Sequence, residues 1–153
     1  MKEIKVTPIK DGTVIDHIPA GCALKVLSII GMTKNVKNTV SVVMNVSSKK
    51  TRKKDVVKVE NKALTPKEVN KIALVAPSAT INIIRNYNVV KKFKVKLPKV
   101  VKGIVKCENP SCISNSNEPV EPEFTVVQKV PPVLRCLYCE REMEHPEKHI
   151  IES

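Results

Sequence analysis

The sequence predicts an α+β chain in two units: an antiparallel sheet carrying two helices, then a small all-β unit. Three observations carry this prediction. Of 153 residues, 42% are hydrophobic but only 3% aromatic, with no Trp. A core must therefore be built from Val, Ile, Leu and Ala, and Val and Ile favour strands. β-branched stretches alternate with two helix-like segments over residues 1–98. Charge and cysteine then divide the chain. Residues 1–100 carry 21 Lys and Arg against 6 Asp and Glu, a net +15, whereas residues 101–153 carry 6 against 9, a net −3. Four of the five cysteines lie in the second part.

This length suits one ordinary domain or two small ones, and the hydrophobic fraction argues against wholesale disorder. No apolar run approaches the ~18 residues of a membrane span, and no N-terminal stretch resembles a signal peptide. A soluble, cytoplasmic protein with no membrane partner is expected.

The elements follow in order. Thr13–Ile18 reads as a short strand stopped by Pro19, and Cys22–Ile30 as a helix ended by Gly31. Thr39–Val46 is a β-branched run and Asp55–Glu60 alternates, so both read as strands, with Ser47–Lys54 as their basic hairpin loop. Thr65 is a good helix N-cap, Pro66 suits the first helical position, and Glu68 completes a capping box. Leu64 and Val69 can staple that cap, and the helix should run to about Leu74, before Pro77. Thr80–Asn86 and Val89–Val95 read as strands. Strand, helix, strand, strand, helix, strand, plus one extra strand is the ferredoxin-like pattern, with helices on one face. Leu97-Pro98-Lys99 marks the boundary, giving units 1–98 and 99–153, and Ser114–Pro122 is a loop within the second.

Cys107 and Cys112 form one pair, Cys136 and Cys139 another, with 23 residues between Cys112 and Cys136. Each short loop brings two sulfurs within reach of one ion. Two such loops place four thiolates at the corners of a tetrahedron, the preference of structural zinc, in a closed site with no catalytic position. A unit of this size buries little apolar surface, and metal binding would offset that. This reads as an all-β zinc ribbon of the rubredoxin-like kind. Two disulfides, or iron in the same cage, are the alternatives. His145 and His149 are surplus to a filled site and are expected as exposed tail residues. Cys22, inside an apolar helix pattern, is expected in the core.

The +15 of the first unit suits a polyanion, whether nucleic acid, a membrane surface or nucleotide phosphates. The plain alternative is that many lysines solubilise a Val/Ile-rich surface or serve a hot habitat. The acidic second unit argues against phosphate-backbone binding there and favours docking onto a protein.

Several segments together resemble one family, the regulatory chain of aspartate carbamoyltransferase. They are Gly12-Thr-Val-Ile-Asp-His-Ile-Pro-Ala20, Lys54-Asp-Val-Val-Lys-Val-Glu-Asn61, Ala73-Leu-Val-Ala-Pro-Ser-Ala-Thr-Ile-Asn82, Asn86-Tyr87, and the cysteines with Asn109-Pro110 and Ile113-Ser114. The resemblance spans nearly the whole chain in order. It implies a non-catalytic chain that dimerises and ties catalytic trimers together. Its first domain would bind nucleoside triphosphate effectors, ATP raising activity and CTP, with UTP in some members, lowering it. Its zinc domain, with one ion per chain, would hold the catalytic chain, in pyrimidine biosynthesis.

The effector site implied by the resemblance falls on Ile9, Asp16, His17, Lys54, Lys58, Asn82, Tyr87 and Lys92, with Val6, Lys10, Val14, Val56, Ile84 and Val89 as wall or backbone contacts. The residue types suit the task. Three lysines can neutralise a triphosphate. Asp16 can accept from ribose hydroxyls, and backbone groups beside Ile9 and Tyr87 can read a base edge. Lys54 and Lys58 share a strand face. Regular pleating would point Asp16 and His17 to opposite faces, leaving one of them off the site. Asn82 and Tyr87 read equally as polar caps at strand ends. Pro8 lacks an N–H, which would matter if a main-chain donor is needed there. The competing reading is a basic zinc-ribbon protein that binds nucleic acid. It leaves the acidic second unit unexplained and has few aromatics for base stacking.

Overall fold

In a computed structural model, residues 8–47, 53–117 and 120–151 are described. The first sheet comprises β1 (Gly12–Pro19), β2 (Val40–Ser47), β3 (Lys53–Glu60), β4 (Thr80–Arg85) and β5 (Asn88–Lys94), in the spatial order β2-β3-β1-β4-β5. All its pairings are antiparallel. Helices α1 (Ala23–Ile29) and α2 (Pro66–Val75) complete the ferredoxin-like pattern, and β5 is the extra strand at the edge beyond β4. The second unit is a four-stranded sheet of β6 (Val100–Lys102), β7 (Glu123–Lys129), β8 (Pro132–Cys136) and β9 (Glu142–Met143), paired in that order. The loop expected between the second and third strands lies mostly outside the described residues.

The local signals act as the sequence predicts. The Thr65 hydroxyl accepts from the Glu68 amide at 3.2 Å, and the Glu68 carboxylate accepts from the Thr65 amide at 2.9 Å. This capping box starts α2 with Pro66 at its first turn, and the helix ends at Val75, before Pro77. Helix α1 ends in a Schellman motif. The Gly31 amide donates to the Ser28 carbonyl and the Met32 amide to the Leu27 carbonyl, with Gly31 at φ +73°. Asn86 and Tyr87, at φ +51° and +67°, form the two-residue turn between β4 and β5, a pair of positive φ values that matches strand twist.

Strand alternation sorts the sheet into two faces. Thr13, Ile15, Asp55, Val57, Val59 and Ile81 are buried under the helices with Val26, Ile29 and Ile72. Among the described residues the one carboxylate in that core, Asp55, is fully buried. It accepts from the amides of Gly21 and Ala23 at the start of α1 and of Asn45 in β2, at 2.8–3.0 Å. These charge-assisted bonds staple α1 and β2 to β3. Cys22 is half-buried at the start of α1 and packs against the core. In the second unit Phe124, Ile104, Leu134 and Met143 form the apolar centre, and they belong to the same buried cluster as the first core, as do Leu97 and Val101.

Gly12 sits where the backbones crowd. Its φ is +149°, and a Cβ there would come 2.2 Å from the Val59 carbonyl oxygen on β3. Gly12→Ala is therefore expected to destabilise the chain by more than the roughly 1–3 kcal/mol of backbone strain alone. Thermal unfolding of the two proteins checks this, and an unchanged midpoint would contradict the close approach.

A cationic sheet face and a cluster of four thiols

The register across β1 builds a row of polar side chains. Lys58 of β3 and Asn82 of β4 both lie opposite Val14 of β1. Ser41 of β2 lies opposite Lys58, and Lys92 of β5 opposite Asn82. Directly paired residues share a face, so Ser41, Lys58, Val14, Asn82 and Lys92 form one line across five strands, on the side away from the helices. Asp16 and Thr80 belong to the next row. Glu60, Gly12, Ile84 and Val89 form the row on the other side. Lys54, Val56 and Lys58 are all half-buried, alternating with fully buried Asp55 and Val57. Lys54 and Lys58 thus share the open face.

Asp16 and His17 depart from regular pleating. Between Ile15 and Ile18 the pairing of β1 with β3 slips, and His17 takes φ +56°. The extra residue is a β-bulge. It returns Ile18 to the core, fully buried, while the His17 ring lies 3.2 Å from the Thr80 hydroxyl, directly across from Asp16. Both residues therefore serve one face, which corrects the expectation that they diverge. The carboxylate of Asp16 accepts from the Lys54 ammonium at 2.9 Å and from the His17 amide at 2.6 Å. Burial pushes the Asp16 carboxyl up, but the Lys54 ammonium and the His17 amide outweigh it and hold the group below its ordinary value.

One end of this face is closed by the chain's entry into β1. The Tyr87 amide donates to the Lys10 carbonyl at 2.9 Å, and the Asn86 amide to the Asp11 carboxylate at 3.0 Å. The Tyr87 N–H is thus already used within the chain. The Tyr87 ring is exposed and Ile9 is buried. Asn82 stands in the middle of β4, not at a strand end, and its amide reaches the Val14 carbonyl only at 3.4 Å. Val6 lies outside the described residues. A cavity of about 380 Å³ sits apart from this row. Leu64, Val69, Ile81 and Phe93 line it, and of the expected contacts it shares only Ile84.

In the second unit the four expected cysteines gather. Their sulfurs all lie within 4.8 Å of one another, with Cys107 to Cys139 at 3.7 Å and Cys112 to Cys136 at 3.6 Å. A tetrahedral ion with 2.3 Å bonds to sulfur needs edges of about 3.8 Å. The spacing fits such an ion, whereas disulfides need sulfurs near 2.05 Å, and all four cysteines are free thiols. Burial, reinforced by its thiol neighbours, pushes Cys107 up to about 12. Burial also raises Cys139, but the Arg141 amide, Asn109 and the neighbouring thiols bring it down to about 7. A bound cation would favour thiolate at every position. Tight turns present the sulfurs: the Cys112 amide donates to Asn109, and the Glu140 amide to Cys136. Asn115 braces the first loop through the Cys107 and Asn109 carbonyls, at 2.8 Å each. Nothing local in the sequence singles it out, because its two partners lie 8 and 6 residues back along the chain. Tyr138, between the second cysteines, is exposed and donates to the Glu121 carbonyl at 2.7 Å. His145 and His149 stand outside the cluster, near Glu147 and Glu108.

Because the Asp16 pKa is lowered in the folded chain, its contribution is full above the ordinary carboxylate value, about 3.9. It is lost as pH falls through the lowered value. Asp16→Asn should remove that part of the acid sensitivity. Denaturant midpoints measured from pH 5 to pH 2 check this, and parallel curves for both proteins would contradict the pairing.

Comparison with known proteins agrees with this architecture. Residues 4–96 match the model of the aspartate carbamoyltransferase regulatory chain, allosteric domain, and residues 99–149 that of its metal binding domain. Similar proteins include the aspartate carbamoyltransferase regulatory chain of Methanothrix thermoacetophila, 59% identical over 93% of this chain and 92% of the relative. That of Pyrococcus horikoshii is 59% identical over 96% and 97%. That of Pyrobaculum neutrophilum is 56% identical over 94% and 95%. Among the described residues no helix is long and apolar enough to cross a membrane. With both domain models matched in order and relatives of this identity along nearly its whole length, the chain belongs to the aspartate carbamoyltransferase regulatory chain family.

Proposed function

We propose that residues 1–98 bind nucleoside triphosphates on the open sheet face and that residues 99–153 hold one structural zinc and grip the catalytic chain. The observation that carries this reading is the line of Lys58, Asn82 and Lys92 across β3, β4 and β5, with Asp16 and His17 in the adjoining row. Compact ammonium groups on a shared face suit a triphosphate. Asp16 can accept from ribose hydroxyls, and the apolar pair Ile84 and Val89 suits the face of a base. Lys54 is engaged with Asp16, so ligand binding would exchange that ion pair for ligand contacts.

In this reading the chain is a non-catalytic subunit of a cytoplasmic enzyme complex in pyrimidine biosynthesis. ATP and CTP, with UTP as a third candidate, share one pocket. Control then requires that each effector bind the low-activity and high-activity arrangements of the complex with different affinity. A second copy of the chain is the natural partner for β2. That edge strand, Val40–Ser47, carries no charged residue, whereas the opposite edge, β5, carries three lysines that discourage pairing. Zinc on Cys107, Cys112, Cys136 and Cys139 would supply a cross-link between the two loops and no catalytic position.

Lys58→Ala and Lys92→Ala are each expected to weaken CTP and ATP binding tenfold or more, with the fold unchanged. Calorimetric titration checks this, and unchanged affinities would reject the site. Metal analysis should find one zinc per chain, and full chelation should release the catalytic chain. A complex that survives complete zinc removal would contradict the second assignment.

A further inference from the structure

Helix α2 lies between the two units, and one of its lysines is buried. Lys71 is only 7% exposed, and its ammonium donates to the main-chain carbonyl of Ile151 at 2.5 Å. The two residues belong to different sheets' domains and are 80 apart in sequence. The last described residues are themselves built into the second unit. The Lys106 amide donates to the His149 carbonyl and the Ile151 amide to the Ile104 carbonyl, both at 2.8 Å, and Val105 bridges Ile150. Residues 149–151 thus form an added strip along residues 104–106.

Apolar packing follows the same line. Ile150, Val105, Ile104 and Val101 from the second unit join Ile72 and Ala73 of α2 in one buried cluster. The short turn Pro146–His149 packs directly against α2. One turn earlier on α2, the Lys67 ammonium stands where a side chain on Gly103 would have to go, beside the Glu121 carboxylate. A buried ammonium must find acceptors, because desolvating it unpaired is costly. The Ile151 carbonyl is one such acceptor, and it lies in the strip already bonded to residues 104–106.

We infer that Lys71 is a positioning residue: from α2 it clasps the C-terminal strip 149–151 and so fixes the metal-binding unit against the helix layer of the effector sheet. The clasp itself stands on geometry alone. Its part in regulation rests on the proposed function, because α2 covers the back of the sheet whose front would take the nucleotide.

The test uses the full zinc-loaded chain assembled with its catalytic chain. Lys71→Met keeps the buried stem but cannot donate, and Lys71→Arg keeps a donor. In Lys71→Met, hydrogen exchange at the Lys106 and Ile151 amides should rise at least tenfold, with β1 and β4 amides unchanged. Lys71→Arg should restore much of the protection. The activity ratio between saturating ATP and saturating CTP should fall at least by half in Lys71→Met, with both nucleotide affinities within twofold of the parent. Ile151→Pro, which removes the strip's own donor to Ile104, should give the same rise in exchange at the Lys106 amide and the same fall in the activity ratio, and serves if Lys71→Met does not fold. Unchanged exchange overturns the clasp. Lost protection with a full effector response overturns the positioning role. Loss of nucleotide affinity also overturns it, by making Lys71 a support of the effector unit alone. If the parent complex responds to neither nucleotide, the proposed function fails instead, and the exchange arm still decides the clasp.

Discussion

The central position of β1 is the constraint on which the rest of the first unit depends. It pairs with β3 on one side and β4 on the other, so its register sets which residues of both neighbours face water. A one-residue slip would turn Lys58 and Asn82 into the core and Val57 and Ile81 out of it. Burying Val57, Val59 and Ile81 under the helices opposes that slip. Gly12, where a side chain would strike the Val59 carbonyl, ties down the start of the strand. The cationic line is therefore a by-product of core packing: apolar residues choose the face, and the lysines are left on the other one.

The bulge at His17 resolves a conflict within β1. Strict alternation would send Ile18 to the open face and His17 into the core. Inserting one unpaired residue restores Ile18 to the apolar side and keeps the imidazole with Asp16 and Thr80. Bulges commonly re-aim side chains beside functional sites, and this one adds a polar group to the row that already holds the carboxylate. Asp55 performs the opposite service inside the core. A buried carboxylate is costly unless it is bonded, and its three amide donors come from α1 and β2, elements the apolar cluster alone would leave less firmly oriented.

The second unit meets a different limit. Its apolar centre rests on a few large side chains, chiefly Phe124, Leu134, Ile104 and Met143, and a unit of this size gains little from burial. Two devices add to it. The cysteine loops converge to a spacing that suits one tetrahedral ion, and the C-terminal strip joins the core to α2. The two units thus share one continuous apolar cluster, a more rigid arrangement than a linker between separate bodies would allow.

Much of this was legible in the sequence because it depends on neighbours. The Thr65–Glu68 box, the Gly31 stop, the alternation of Asp55–Glu60 and the cysteine spacing are local patterns, each governed by a few residues' own geometry. They determined the element order, the fold class and the grouping of four thiols. The side of the sheet on which His17 falls was not legible, since a bulge is a compromise between two partner strands. Nor was the engagement of the Tyr87 amide with Lys10, which depends on where the entering chain crosses a distant turn. Lys71 in the sequence is one lysine among many. Only the folded chain, which buries this lysine and brings a carbonyl from 80 residues away to its ammonium, makes the pair. Local order follows from the chain's own steric and hydrogen-bonding preferences, while long-range pairs are decided by which surfaces the shared core brings together.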